Sequence, residues 1–180
     1  MGPGWAHEVK HDGYRLQIHA KDDGRVRLYT MNGAEWTDRY PRIVAEAARL
    51  KGAAIIDAEV ICEVDGIADF DALQGRTKDH EAIAVAFDLL KRDGEDLRPK
   101  PLSERKAALK RLLARCSNAI QYVAHVEGDG PEMFAAVCNL GLEGLVSKRL
   151  ASPYSSGNSK AWIKTRNPKS PAFMRMSDGT

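Results

Sequence analysis

Trp5 to Arg15 reads WAHEVKHDGYR, and the charge pattern inside this stretch organises the reading of the whole chain. Glu8, Lys10, Asp12, Gly13 and Arg15 form E-x-K-x-D-G-x-R. The residues that follow alternate strictly: Tyr14, Leu16, Ile18 and Ala20 on one side, Arg15, Gln17, His19 and Lys21 on the other. That is the period of a half-buried strand. Glu8 to Lys10 then ends one strand, and Asp12-Gly13 is the expected turn into the next. On a strand, residues i and i+2 share a face, so Glu8, Lys10 and Asp12 are expected to point at one ligand. A solvated charged hairpin would produce the same run, and only the rest of the chain separates the two.

Length and charge set the bounds. A chain of 180 residues can bury one sizeable core, so one domain over residues 1–180 is expected. A formal net charge of +2 is too small to announce a polyanionic partner by itself. Its distribution says more: after Val146, Lys148, Arg149, Lys160, Lys164, Arg166, Lys169 and Arg175 face a single acid, Asp178. Such a basic strip suits a phosphate-handling surface, and also a solvated tail. Cys62, Cys116 and Cys138 are far apart with no C-x-x-C, which suits reduced thiols in a cytoplasm. His7 and His11 are four apart in an expected strand, where that spacing does not bring them together as a metal pair. No apolar run spans a membrane and no signal peptide is visible, and Ala6 stands where a myristoylation signal wants Ser or Thr.

Taken in order, the chain mixes strands and helices without a regular βαβ rhythm. Asp22-Asp23-Gly24 closes a hairpin whose returning strand carries Val26, Leu28 and Thr30. A helix is expected from Pro41 to Leu50, with Ile43, Val44, Ala47 and Leu50 on one face. Ala54 to Val64 is strand-like and turns at Asp65-Gly66; Ile83 to Leu90 is an apolar run of buried-strand length. Ser103 is the expected cap of a helix reaching Arg115, with Leu109, Leu112 and Leu113 inward. Ile120 to Val126 reads as one strand, and a helix with Phe134, Val137 and Cys138 as its stripe runs from Pro131 to Gly141. Leu145–Lys148 and Ala161–Arg166 are the last strands, joined by the polar loop SPYSSGNS. Hairpins with scattered helices indicate an α+β fold with mainly antiparallel sheets.

The K-x-D-G of Lys10 to Gly13 resembles the nucleophile motif of the covalent nucleotidyltransferases. Further motifs follow in that superfamily's order: IIDAEV, AFDLL, DGEDLRPKPLSERKAAL, LEGLVSKR and AWIKTRN. Over nearly its whole length the chain resembles the adenylation domain of ATP-dependent DNA ligases, in particular the bacterial end-joining branch. The resemblance implies an ATP-grasp-like covalent nucleotidyltransferase fold, two mainly antiparallel sheets with flanking helices around a nucleotide cleft. It implies that ATP is consumed to form a lysyl-AMP at Lys10, with Mg²⁺ as the metal and nicked or broken DNA as the acceptor. An unprotonated amine is needed for that attack, while free lysine titrates near 10.4. Neighbouring cations, a divalent metal or desolvation supply the difference, so the nucleophile belongs in an electropositive cleft.

By the same resemblance Glu8 reads the adenine amino group, Arg15 lies near the ribose and the nick, and Glu59 meets the ribose hydroxyls. Phe87 matches the aromatic that stacks on the purine, Glu143 the metal-binding carboxylate, Lys148 a cleft base, and Lys164 a residue near the α-phosphate. Arg166 takes part where Lys is usual, keeping the charge but not an easy proton. Gly13 is expected to let backbone approach the nucleotide. Read from the residues alone, Glu59 equally fits a salt-bridged strand acid and Phe87 a core aromatic. One Glu suffices for Mg²⁺, which favours few carboxylates plus phosphate oxygens.

Two departures shape the expectation. Ala58 replaces the usual Gly of D-G-E, and in LYTMNGAEWTDRYP Met31 takes the place of the R-N-G arginine, removing a phosphate-reaching cation. The chain ends at Thr180, shortly after the W-x-K motif, without the family's OB-fold or an N-terminal DNA-encircling domain. A separate OB-fold or end-joining partner is therefore expected, and no membrane. An RNA ligase, or a nucleotide- or DNA-binding module with impaired turnover, are the alternative readings.

Overall fold

A computed structural model describes residues 2–64, 67–116, 118–157 and 159–177. Two sheets carry the molecule. The larger is built on the alternating stretch: β2 (Tyr14–Ala20) pairs antiparallel with β3 (Val26–Thr30) on one side and β4 (Ala54–Ile61) on the other. β4 pairs in turn with β7 (Ile83–Arg92), whose far edge takes β8 (Glu95–Asp96) antiparallel and β9 (Ile120–Tyr122) parallel. Leu16, Ile18, Leu28, Ile56 and Leu89 from these strands form one buried face. It is covered by α1 (Pro41–Ala47), through Ile43 and Ala47, and by α3 (Leu102–Leu113), through Leu109 and Leu113. The opposite face carries Arg15, Gln17, Asp57 and Glu59, because side chains alternate across a strand.

The smaller sheet runs β10 (Val126–Glu127), β1 (Trp5–Lys10), β11 (Gly144–Arg149), β12 (Trp162–Arg166), all antiparallel. α4 (Gly130–Asn139) packs on β1 and β11. A two-stranded hairpin of β5 (Glu63–Val64) and β6 (Ile67–Ala68) leads to α2 (Phe70–Gln74), which Asp69 caps by accepting from the N–H groups of Asp71 and Ala72. A last short helix, α5, covers Pro171–Ser177. The α+β class with two mainly antiparallel sheets is thus borne out.

Several local expectations are corrected. Asp12-Gly13 is not a hairpin turn: β1 and β2 belong to different sheets, and the segment carries the chain from one to the other. Ile120–Val126 is not one strand, since β9 joins the larger sheet and β10 the smaller. Helix α3 starts at Leu102 behind Pro101, with no side-chain cap from Ser103. Leu112 is only half-buried, while Leu102, Arg105 and Lys106 join the buried face. Helix α1 stops at Ala47, before Leu50. The expected turn at Asp65-Gly66 lies outside the described residues.

Candidate active site between the two sheets

Cross-strand register assembles the site. In the smaller sheet Lys10 pairs with Gly144 and Gly144 with Arg166; Glu8 pairs with Val146 and Val146 with Lys164; Ala6 pairs with Lys148 and Lys148 with Trp162. Directly opposed residues share a face. One face of three strands therefore presents Glu8, Lys10, Lys148, Trp162, Lys164 and Arg166. In the larger sheet Arg15 opposes Glu59. Phe87 is the extra residue of a β-bulge, because Ala58 pairs with Ala86 while Asp57 pairs with Asp88. Bulges re-aim side chains and are common beside functional sites. Glu8, Lys10, Arg15, Glu59, Phe87, Lys148 and Lys164 all line one cleft of about 360 Å³, with Met31 also on its wall. That volume is within the range of small-molecule sites.

The charges in the cleft are balanced in three groups. Glu8, 2% exposed, accepts from Lys106 Nζ and Lys148 Nζ, each at 2.5 Å. Burial pushes the Lys148 ammonium below its usual value, against the pull of Glu8. Arg15 donates from Nε and Nη2 to both oxygens of Asp57 at 3.0 and 2.6 Å, and Tyr154 donates its hydroxyl to Asp57 at 2.9 Å. Lys10 Nζ pairs with Glu143 Oε1. Two groups stand outside these pairings. Glu59 is pushed up to about 7 by burial, with the charges of Lys10 and Arg15 pulling the other way. Lys164 is held below its usual value by burial and by the charges of Lys10 and Arg15. Aromatic walls complete the cleft: Phe87 and Trp162 meet edge to face at 5.8 Å, and Lys148 Nζ lies 4.3 Å from each ring centroid.

Some candidates lie elsewhere. Asp12 does not join Glu8 in the cleft; with Lys10 it lines a second cavity of about 590 Å³, where Arg175 of α5 pairs with it. Glu143 lines that second cavity together with Lys10. Arg166 is exposed at the end of β12 and lines neither cavity. Gly13 does line the cleft, and the protein itself also requires glycine there: a Cβ would lie 2.1 Å from the carbonyl oxygen of Val60 in β4.

Glu143 is also where a cation fits. Its Oε2 is buried and has no hydrogen-bond partner among the described residues, while Oε1 holds Lys10. No cluster of three or more His, Cys, Asp or Glu able to cage a metal exists among the described residues. A lone carboxylate oxygen suits Mg²⁺, which completes its shell with water and phosphate oxygens.

Sequence reading missed Lys106, Asp57 and Tyr154. Lys106 had a signal: Leu102, Lys106, Leu109 and Leu113 follow the spacing of one helical face, which places a lysine on the apolar stripe. Asp57 shares its strand face with Glu59 two residues on. Tyr154 reaches the site from the polar loop after β11, which no periodicity foretells.

Comparison with known proteins accords with this geometry. The profile of the ATP dependent DNA ligase domain matches residues 1–166. The chain belongs to the ATP-dependent DNA ligase domain family. The multifunctional non-homologous end joining protein LigD of Pseudomonas aeruginosa is 40% identical over 168 residues, which is 90% of this chain and 20% of that protein. The ligase domain of Mycobacterium tuberculosis LigD, in its crystal structure, superposes with a TM-score of 0.80 at 32% identity over 90% of this chain and 54% of that one. A mycobacterial DNA ligase D complexed with ATP and MES gives 0.78 at 31% identity, again over 90% of this chain and 54% of that one. The chain thus spans a fifth of the P. aeruginosa relative and about half of each solved ligase chain. The expected resemblance to ligases of the end-joining branch and the nucleotidyltransferase fold of this ligase domain are both borne out.

Proposed function

We propose that the 180 residues act as one nucleotidyltransferase unit that loads AMP from ATP onto Lys10 and passes it to a DNA 5′-phosphate for sealing by a 3′-hydroxyl. The observation that carries the reading is the register that sets Lys10, Lys164 and Lys148 on one sheet face opposite Arg15, Glu59 and Phe87. That its relatives are DNA ligases and end-joining proteins supports DNA as acceptor, and the ATP complex of the mycobacterial ligase supports ATP as donor. A bacterial cytoplasm with reduced thiols is the setting we assign; among the described residues no helix is long and apolar enough to cross a membrane.

Each residue has a task in this reaction. Phe87 offers a stacking surface to the base, and Glu8 an acceptor to its amino edge. Glu59 faces the ribose, and Lys164 stands two strands away from Lys10 to meet the α-phosphate. The Lys10 lone pair forms the N–P bond while the bond from the α-phosphorus to the bridging oxygen breaks and pyrophosphate leaves. Before that, Nζ must part with a proton, and the carboxylate already hydrogen-bonded to it is that of Glu143. Glu143 Oε2 would hold Mg²⁺, whose contribution is to neutralise charge on the phosphates. Transfer then exchanges the N–P bond for a bond to the DNA 5′-phosphate, and the 3′-hydroxyl finally displaces AMP.

The test is covalent labelling. Incubation with α-labelled ATP and Mg²⁺, followed by a denaturing gel, should place label on the chain, and Lys10→Ala should abolish it while leaving the fold intact by circular dichroism. Label that persists in Lys10→Ala, or maps to another lysine, sinks the assignment. Nicked DNA added to the labelled protein should discharge it in preference to nicked RNA.

A further inference from the structure

Glu8 is met by two lysines, and the two are not equivalent. Lys148 belongs to the cleft: its Nζ stands between Phe87 and Trp162, 4.3 Å from both centroids, in the slot that a purine stacked on Phe87 would take. A base stacked there would have to displace this ammonium from the slot. Lys106 does not line the cleft. It reaches Glu8 from behind, from α3, and is 1% exposed. Its Nζ donates to Glu8 Oε1 at 2.5 Å and to the Val123 carbonyl at 3.0 Å, and lies 4.7 Å from the Tyr122 ring centroid. Glu8 is on β1 of the smaller sheet, while Val123 directly follows β9 of the larger one. One ammonium thus ties together two groups of the cleft wall that belong to different sheets.

We propose that Lys106 is the positioning residue for base recognition, holding the Glu8 carboxylate and the Val123 backbone in the arrangement that accepts the amino edge of adenine. The proposal rests on the reading of Glu8 as the base reader. A carboxylate has about four lone-pair sites. Lys106 and Lys148 take one on each oxygen, which leaves acceptor capacity for an exocyclic amine. When the base enters and Lys148 yields the slot, Lys106 is the counter-ion that remains. Without it the carboxylate would be buried with its charge uncompensated, free to turn toward whichever cation or water is nearest.

A counter-ion of purely structural value would predict something different. Its loss would weaken every nucleotide alike, whereas loss of a positioning contact removes only what depends on the amino group. The experiment is equilibrium binding by calorimetry of ATP and of purine riboside triphosphate, which lacks the 6-amino group, in magnesium buffer. The wild-type chain should prefer ATP by about 10-fold or more, the scale of one hydrogen bond to a charged group. In Lys106→Met the preference should fall close to one, with the affinity for purine riboside triphosphate nearly kept. In a Glu8→Gln background, where the carboxylate that Lys106 would position is gone, adding Lys106→Met should leave the ratio unchanged. If Lys106→Met does not fold, Lys106→Gln is read by the same ratio. A preserved preference in the variant, or an equal weakening of both nucleotides, overturns the role of Lys106. Absence of any preference in the wild-type chain would instead overturn Glu8 as the base reader, and the proposal with it.

Discussion

Glu59 carries a pH dependence that its burial creates. Its carboxyl sits at about 7 rather than the usual 4.5, mainly because burial disfavours the charged form. The sign of the consequence follows from proton counts. Between the unfolded value and about 7, the folded chain holds a proton that the unfolded chain has released, so stability drains away as pH rises through that window. The melting temperature of the wild-type chain should therefore fall between about pH 5 and pH 8, and Glu59→Gln should flatten the slope. Melts followed by circular dichroism across that range decide it; parallel profiles for the two proteins would show that Glu59 does not titrate there. This carboxylate was visible as a candidate in IIDAEV, but its burial was not, since that depends on the second sheet closing over it. Gly13 and Gly144 teach the same lesson. Both were legible as motif glycines, yet a Cβ on either would lie 2.1 Å from a neighbouring strand's carbonyl oxygen, Val60 and Thr165 respectively. Gly144 also holds φ at 152°. Their constraint comes from strands distant in sequence.

At the scale of elements, β7 and α3 form the wall behind Phe87. Arg105 and Asp88 are both fully buried and joined by two hydrogen bonds of 2.8 and 2.9 Å, and Arg105 also donates to the carbonyls of Lys100 and Ser152. Asp88 is the neighbour of the bulged Phe87, so this pair fixes the strand at the point where the aromatic is presented. Removing one partner strands a buried charge, and Arg105→Ala should cost about 3–5 kcal/mol in urea unfolding. Adding Asp88→Ala should cost much less than the sum of the single changes, and strict additivity would show that the pair is not coupled. Individual strands such as β2 and β7 were legible because period-2 alternation and a long apolar run are local signals. Sheet membership was not: the two-residue period says which way a side chain points, but nothing about which strand lies beside it. That is why β1 and β2 read as a hairpin and why β9 and β10 merged. The short elements α2, β6 and β8 are too brief for any period to register.

The whole molecule places its acids and bases so that most cations in and behind the cleft are already committed to acidic partners. Lys10, Arg15, Lys106 and Lys148 each have an acidic partner. Lys164 and Arg166 make no ion pair among the described residues; both are exposed, two apart on one face of β12, the outer strand of its sheet. Across the cleft mouth from the smaller sheet, Met31 on the cleft wall is 67% exposed, where an arginine would be usual in the family the chain resembles. Phosphate contact in this reading therefore falls on the β12 edge, and the β3 side contributes no charge at Met31. Counterion release turns that distribution into a measurable slope, since each phosphate neutralised changes the logarithmic salt dependence of binding by about 0.9. Lys164→Ala and Arg166→Ala should each weaken binding to nicked duplex and make the slope shallower by about one contact. Met31→Arg should do the reverse, tightening binding and steepening the slope by a similar amount, because it supplies a cation at an exposed position of the cleft wall. Fluorescence anisotropy over a salt series, with nicked and intact duplexes of the same sequence, measures all three. Slopes that ignore Lys164 and Arg166 yet respond to Met31→Arg would mean that the duplex lies against the β3 side, turned away from the β12 edge.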